Sequence, residues 1–212
     1  MVDYCKRLFR FFALLLLIPL LIGLIDAWSD GFGFILFILG IPCALIALVV
    51  GGIVGLVRGA RLPLYQSTKL KRALVVGASP LLAVATLALS LPVLRVGSYT
   101  GNLVRLLVNY SHYERVVAKA KHSRKPAWFE EDDGVTYSTD LGPPVRVAFN
   151  PAGMLDNWSG IIYDPTGDVM LARGFDGKTG KFYAPHRVTK LFSGDLMGCS
   201  HLWRFYYVCS FT

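Results

Sequence analysis

Charge is what this sequence has least of. Asp, Glu, Lys and Arg make up 17% of its 212 residues, against 54% hydrophobic residues, where soluble domains are about a quarter charged. The shortage is local. Met1 to Leu94 holds eight basic and three acidic residues, and Arg95 to Thr212 holds fourteen and eleven. This excludes a wholly soluble protein, a disordered chain and a collagen-like one. The first half has the composition of a lipid-embedded segment and the second that of a small globular domain. Internal repeats and low-complexity segments are absent too. So are a Cys-x-x-Cys pair, which argues against a zinc site, and a Gly-x-Ser-x-Gly elbow, which argues against one common hydrolase layout.

What the first half does contain is three long apolar runs. Phe11–Trp28, Phe32–Val57 and Ala73–Leu94 hold 18, 26 and 22 residues, or roughly 27, 39 and 33 Å as helix. A hydrocarbon core of about 30 Å needs around 20 apolar residues, so the second and third runs span comfortably. The first, with Lys6, Arg7 and Arg10 before it, has the outline of a signal peptide. It ends in Ile25-Asp26-Ala27-Trp28 without a small-x-small cleavage site, and the next run starts after Ser29-Asp30-Gly31. It therefore reads as the first arm of an uncleaved helical hairpin. Basic residues mark the cytoplasmic side. They cluster in the N-terminal tail and in the loop 58–72 (Arg58, Arg61, Lys69, Lys71 and Arg72), which leaves the region after the third span on the far side. Arg95 and Arg105 argue weakly the other way. A bacterial inner membrane with a periplasmic C-terminal domain is the expected setting.

The mid-span positions carry no ionisable residue, which disfavours a small pore or carrier. Small residues recur instead at four-residue spacing: Gly51 with Gly55, Ala73 with Gly77, and Ser79 with Ala83. Such stripes let helices approach closely. They serve packing within this three-helix unit, or docking onto another membrane subunit. Of four cysteines, Cys5 and Cys43 belong to the membrane half, while Cys199 and Cys209 share the second half. In an oxidising compartment these two suit a disulfide. Two buried free thiols on neighbouring strands are the alternative.

The expected fold class is thus a membrane α-helical protein of three transmembrane helices followed by a small α+β domain, one amphipathic helix plus an antiparallel β-meander. The anchor covers residues 1–94 and the exported domain 95–212. Within the latter, Ser98 or Thr100 caps a helix of about 99–121, with Leu103, Leu106, Leu107, Tyr110, Tyr113 and Val117 at helical spacing. That helix packs on its own sheet or lies in the membrane interface. A linker follows at 122–144, in which a basic run to Lys125 meets Glu130, Glu131, Asp132 and Asp133. The net charge of the half is small, so nucleic acid is not an expected partner. Residues 145–212 are β-rich. Val145–Phe149 and Trp158–Tyr163 read as strands, and Asp164-Pro165-Thr166-Gly167 fits a type I turn. Asp168–Ala172 is expected to return antiparallel and Phe175–Lys181 to form a turn or loop. Arg187–Phe192, Leu196–Cys199 and Trp203–Phe211 are further strands, the last the most β-prone of all.

Chemistry is harder to find. Ala172–Thr179 imitates a phosphate loop but lacks its first Gly and the following helix. Cys199, His201 and Cys209, with or without His186, match no zinc spacing. Ser159, Ser193 and Ser200 with His186, His201, Asp156 and Asp195 supply the atom types of a hydrolase without its motif. Asn109 and Asn157 stand in glycosylation sequons, which matter only in a eukaryotic host. No cofactor or metal is expected. Trp128, Trp158, Trp203 and Tyr206 are the candidate anchors for a partner, since aromatics dominate interfaces. The function expected is a non-catalytic inner-membrane protein whose extracytoplasmic domain binds a protein, membrane-embedded or extracytoplasmic. It would be an accessory or assembly subunit of a membrane complex, or an immunity-type toxin antagonist. An envelope hydrolase is the alternative.

Overall fold

The computed structural model describes residues 2–61, 68–154 and 157–212. They divide into two compact units, Met1–Gly101 and Asn102–Thr212. Three helices are long and apolar enough to cross a membrane: α1 (Val2–Asp26), α2 (Asp30–Arg61) and α3 (Lys69–His122). Part of the loop expected at 58–72, residues 62–67, lies outside the described residues. Arg58 and Arg61 stand in the last turn of α2, where cations offset the exposed carbonyl end of the helix dipole.

In the first unit the small residues divide by face. A Cβ on Gly51 would strike the Phe11 ring, and one on Gly55 would strike Ser79 Oγ and come within 2.9 Å of Leu8. Ser79 Oγ donates to the Gly52 carbonyl at 2.8 Å, and Tyr4 donates from its hydroxyl to the Gly55 carbonyl at 2.7 Å. Ala83 lies 3.8 Å from a Cβ placed on Gly52. Gly51, Gly55, Ser79 and Ala83 therefore serve contacts among these three helices. Ala73 is exposed and a Cβ on Gly77 would meet nothing.

One close crossing has no counterpart in the sequence reading. The helix expected at about 99–121 does not start anew after the apolar run that ends at Leu94. Instead α3 runs unbroken through Pro92, as prolines can in apolar helices. Gly97 and Gly101 of α3 meet Gly23 of α1 and Ala27 in the turn just after it, both pairs at four-residue spacing. A Cβ on Gly97 would strike the Leu20 carbonyl and approach Gly23 Cα to 3.3 Å, and one on Gly101 would come within 2.7 Å of Ala27 Cβ. Helix packing thus continues to Gly101, where the first compact unit ends.

The second unit is a curled, seven-stranded antiparallel sheet covered on both faces. Its strands are β1 (Glu130–Asp132), β2 (Val135–Asp140), β3 (Arg146–Met154), β4 (Asn157–Tyr163), β7 (Lys190–Leu191), β8 (Gly194–Trp203) and β9 (Tyr206–Phe211), in the order β1-β2-β3-β4-β9-β8-β7. Two meanders are joined where β4 pairs with β9, Ile161 opposite Val208. Strand alternation sorts the side chains. Val147, Phe149, Ile161, Tyr163 and Tyr206 pack on Leu106, Tyr113, Val116 and Val117 of α3. Ala148, Ile162, Tyr207 and Cys209 face the other way, under the excursion that joins β4 to β7.

That excursion departs from expectation. Asp168–Leu171 is a 3-10 turn, not a returning strand, because β9 already occupies the edge of β4 that it would need. The loop expected at 175–181 closes a small hairpin of β5 (Phe175–Asp176) and β6 (Lys181–Phe182). Arg187–Phe192 splits into a helical turn, α4 (His186–Thr189), and the short β7. The expected linker 122–144 contains β1 and β2. They are joined at Asp133-Gly134, whose φ values of 47° and 74° suit the tight hairpin turn that Asp-Gly favours.

Candidate functional site

The expected anchors are used in different ways. Tyr206 is fully buried and donates to Glu114 Oε1 at 2.8 Å, so it holds the sheet to α3 and offers nothing to a partner. Trp158 is half-buried, stacked on Phe211 with ring centres 4.0 Å apart. Trp203 is half-buried against Tyr110 at 5.0 Å. Trp128 alone of the four is largely exposed, at 54%, and its neighbour Phe129 is 53% exposed.

The Trp128–Phe129 corner is built, not loose. Ala127 N–H donates to Thr139 Oγ1 at 2.6 Å, Thr139 N–H donates back to the Ala127 carbonyl at 2.9 Å, and Phe129 N–H donates to Ser138 Oγ at 3.0 Å. These bonds pin the corner to β2. They hold Phe129 at φ 48°, a left-handed conformation that costs a residue with a Cβ about 1–2 kcal/mol. The two rings meet edge to face at 5.0 Å. Directly after them come Glu130, Glu131, Asp132 and Asp133, on or beside the sheet's edge strand β1. Glu130 accepts from the Tyr137 hydroxyl at 2.9 Å, and Asp132 lies 3.9 Å from His112. The result is two fixed, exposed rings beside an acidic edge.

The hydrolase candidates are tied into local structure. His201 is exposed and its Nε2 lies 2.8 Å from the Arg204 carbonyl. Asp195 stands opposite Lys190 on the β7–β8 pair. His186 opens α4. Asp156 lies outside the described residues. Among the described residues no group of three or more His, Cys, Asp or Glu is placed to hold a metal ion. The phosphate-loop imitation at Ala172–Thr179 is shaped by Asp176, which accepts from Lys178 N–H at 2.9 Å and Thr179 Oγ1 at 2.6 Å. Those bonds hold its carboxyl below the usual carboxylate range.

Cys199 and Cys209 are directly opposite on β8 and β9, with Cα atoms 4.1 Å apart, and are bonded. Thiol labelling of the unfolded, unreduced chain is expected to modify Cys5 and Cys43 and to spare this pair. A Cys199→Ala/Cys209→Ala variant is expected to lose about 2–3 kcal/mol, the loop-closure value for a ten-residue separation. Labelling of all four cysteines would refute the bond.

The most heavily charged buried feature was not legible beforehand. Arg146, with a side chain 3% exposed, lies 3.1 Å from the fully buried Asp164. Asp164 also accepts from Thr166 N–H, Thr166 Oγ1 and Val169 N–H at 3.1, 2.8 and 3.0 Å. Asp168, 3.8 Å from Arg146, takes a two-pronged contact from Arg187 at 2.7 and 2.9 Å. Arg187 holds the Asp168 carboxyl below its ordinary range. The available signal was an arginine inside the apolar run Val145-Arg146-Val147-Ala148-Phe149. This cluster ties the excursion to β3 and β4. Compared with protein-family models, with curated proteins and with solved structures, the chain matches none.

Proposed function

We propose that this chain is a non-catalytic, membrane-anchored binding protein. In this reading α1, α2 and α3 cross a bacterial inner membrane with the N-terminus in the cytoplasm. The Asn102–Thr212 unit lies on the periplasmic side, and it binds a protein with a basic surface through Trp128, Phe129 and the acidic β1 edge. The observation that carries it is the corner itself. Two large rings are held more than half exposed, one of them at a φ of 48°. Strain of this kind collects at functional sites, and buried aromatic anchors dominate binding energies. The inward packing of Gly51, Gly55, Ser79 and Ala83 leaves little of the small-residue stripe for a membrane subunit. That favours a partner met outside the bilayer, as an immunity-type antagonist would meet its toxin.

The test is capture of companions from native membranes in mild detergent, with the wild-type chain and a Trp128→Ala/Phe129→Ala variant. A companion in fixed ratio is expected with the wild type. The variant should bind it roughly 30-fold more weakly, the equivalent of a 2 kcal/mol hot spot. Raised salt should weaken the wild-type complex, since the acidic edge is exposed. A solitary wild-type protein, or equal capture by the variant, sinks the reading. For orientation, a reporter active only outside the cytoplasm is expected to work when fused after Thr212. Activity there of a reporter that works only in the cytoplasm would reverse the topology.

A further inference from the structure

At the end where the chain enters it, the second unit carries apolar surface that its own core does not use. Leu106 and Tyr113 of α3 face the sheet and are fully buried, whereas Val104, Leu107 and Val108 are exposed, Val108 at 68%. One helical step on, Tyr110 packs on Trp203, and Arg204 lies over both rings, 4.6 Å from the Trp203 centre and 5.9 Å from that of Tyr110. Arg204 also donates to the Tyr110 hydroxyl at 3.1 Å. Phe205, beside it in the two-residue β8–β9 turn, is 51% exposed. Aliphatic side chains thus pass into a Trp-Tyr-Arg stack with an exposed Phe.

We infer that this collar, Val104 to Val108 with the Arg204–Phe205 turn, is seated in the headgroup layer of a lipid bilayer. The occupant follows from composition and connectivity. Trp, Tyr and Arg are the residues of membrane–water interfaces, their apolar bodies facing the chains and their polar ends the headgroups. Val104 follows the last residue of the apolar bundle, Gly101, by three residues and Val108 by seven. Arg204, held over two rings, offers its charge to lipid phosphate. The inference rests on the reading that α1–α3 cross a membrane.

The experiment uses the full chain, with Cys5→Ser and Cys43→Ser, in mixed phosphatidylcholine and phosphatidylglycerol vesicles. Single cysteines replace Val108, Phe205, Leu45 in α2 and Lys178 in the β5–β6 hairpin, each carrying a polarity-sensitive fluorophore. Labels at Val108 and Phe205 are both expected to lose roughly half their emission to lipids brominated near the headgroup. They should be little affected by aqueous iodide, while the Lys178 label shows the reverse. If either Val108 or Phe205 responds as Lys178 does, the inference falls. If either is shielded from both quenchers, protein covers the collar and the inference falls as well. The Leu45 label, near the middle of α2, is read with lipids brominated deep in the acyl chains and separates the two levels. If bromolipids quench it while Val108 or Phe205 stays dark to lipid, the spans stand and the collar alone is refuted. If they do not quench it, the spanning reading fails and the inference with it.

Discussion

Replacing Arg146 with alanine is expected to destabilise the Asn102–Thr212 unit by about 3–5 kcal/mol, the usual cost of stripping one partner from a buried ion pair. Asp164 is fully buried, and three donors from Thr166 and Val169 already satisfy much of its hydrogen-bonding capacity. What Arg146 adds is the counter-charge. Its Nε lies 3.1 Å from Asp164 Oδ1 without hydrogen-bond alignment, so the contact is mainly coulombic. A carboxylate left in that position without a cation must protonate or drag water inward. Since a domain is stable by only about 5–15 kcal/mol, the loss should be plain in thermal or urea unfolding of the detergent-solubilised chain. Two companion variants set the scale. Arg187→Ala removes an exposed arginine and should change stability far less, as exposed ion pairs contribute little. Arg146→Met/Asp164→Leu removes both charges together and should cost much less than Arg146→Ala alone. Equal effects of Arg146→Ala and Arg187→Ala would show that the buried pair contributes nothing special.

Alkali is expected to unfold the same unit steeply, beginning near pH 10. Burial raises the hydroxyls of Tyr113 and Tyr137 to about 12, with Glu130 adding to the shift at Tyr137. Burial first, and then Glu114, pushes Tyr206 well above its ordinary value too. Each phenol is neutral in the folded unit and would ionise in the unfolded chain from pH 10 upward. The stabilisation is therefore complete below pH 10 and is lost as pH rises toward the folded values. Above pH 10 the unfolded state holds fewer protons, so stability falls with pH. The limiting slope is about 1.4 kcal/mol per pH unit for each tyrosine, or about 4 kcal/mol per unit for the three. Tyrosinate absorbance should therefore rise together with loss of near-ultraviolet dichroism, in one transition. Tyr206→Phe should remove roughly a third of the slope, at a cost of about 1 kcal/mol at neutral pH for the lost bond to Glu114. Titration of all ten tyrosines with midpoints near pH 10, with the fold intact, would contradict the burial of these three.

The parts of this molecule that were legible in advance depend on neighbours in the chain. Apolar runs without charge become helices long enough to cross a membrane, because a helix satisfies its own backbone wherever the side chains are uniform. The strands near Val145–Phe149 and Trp158–Tyr163 follow from β-branched and aromatic runs bounded by Pro, Asn and Asp. The Asp133-Gly134 hairpin was equally local in origin, but the acidic run around it hid the signal and suggested a linker. The break expected between the third apolar run and the helix from about residue 99 is absent for a related reason. Arg95, Gly97 and Gly101 interrupt the apolar composition, yet the two glycines are what lets α3 continue against Gly23 of α1 and Ala27 just after it.

The rest depended on residues distant in sequence. Asp168–Ala172 has strand-like composition and forms a 3-10 turn, because forty residues later β9 takes the edge of β4. Tyr206 and Trp128 are both aromatic and looked interchangeable. One is buried on α3 and the other stands in solvent, a difference set by which face of the sheet each strand presents and where that sheet ends. Arg146 and Asp164 were eighteen residues apart with no pattern linking them, and the antiparallel β3–β4 pairing, with Val147 opposite Tyr163, brought them to 3.1 Å. Composition and period therefore settled the long apolar helices and the strands near 145–149 and 158–163, since those are properties of short windows. Pairing settled which side chains are buried, bonded or left exposed, since a sheet's neighbours are chosen by the whole chain.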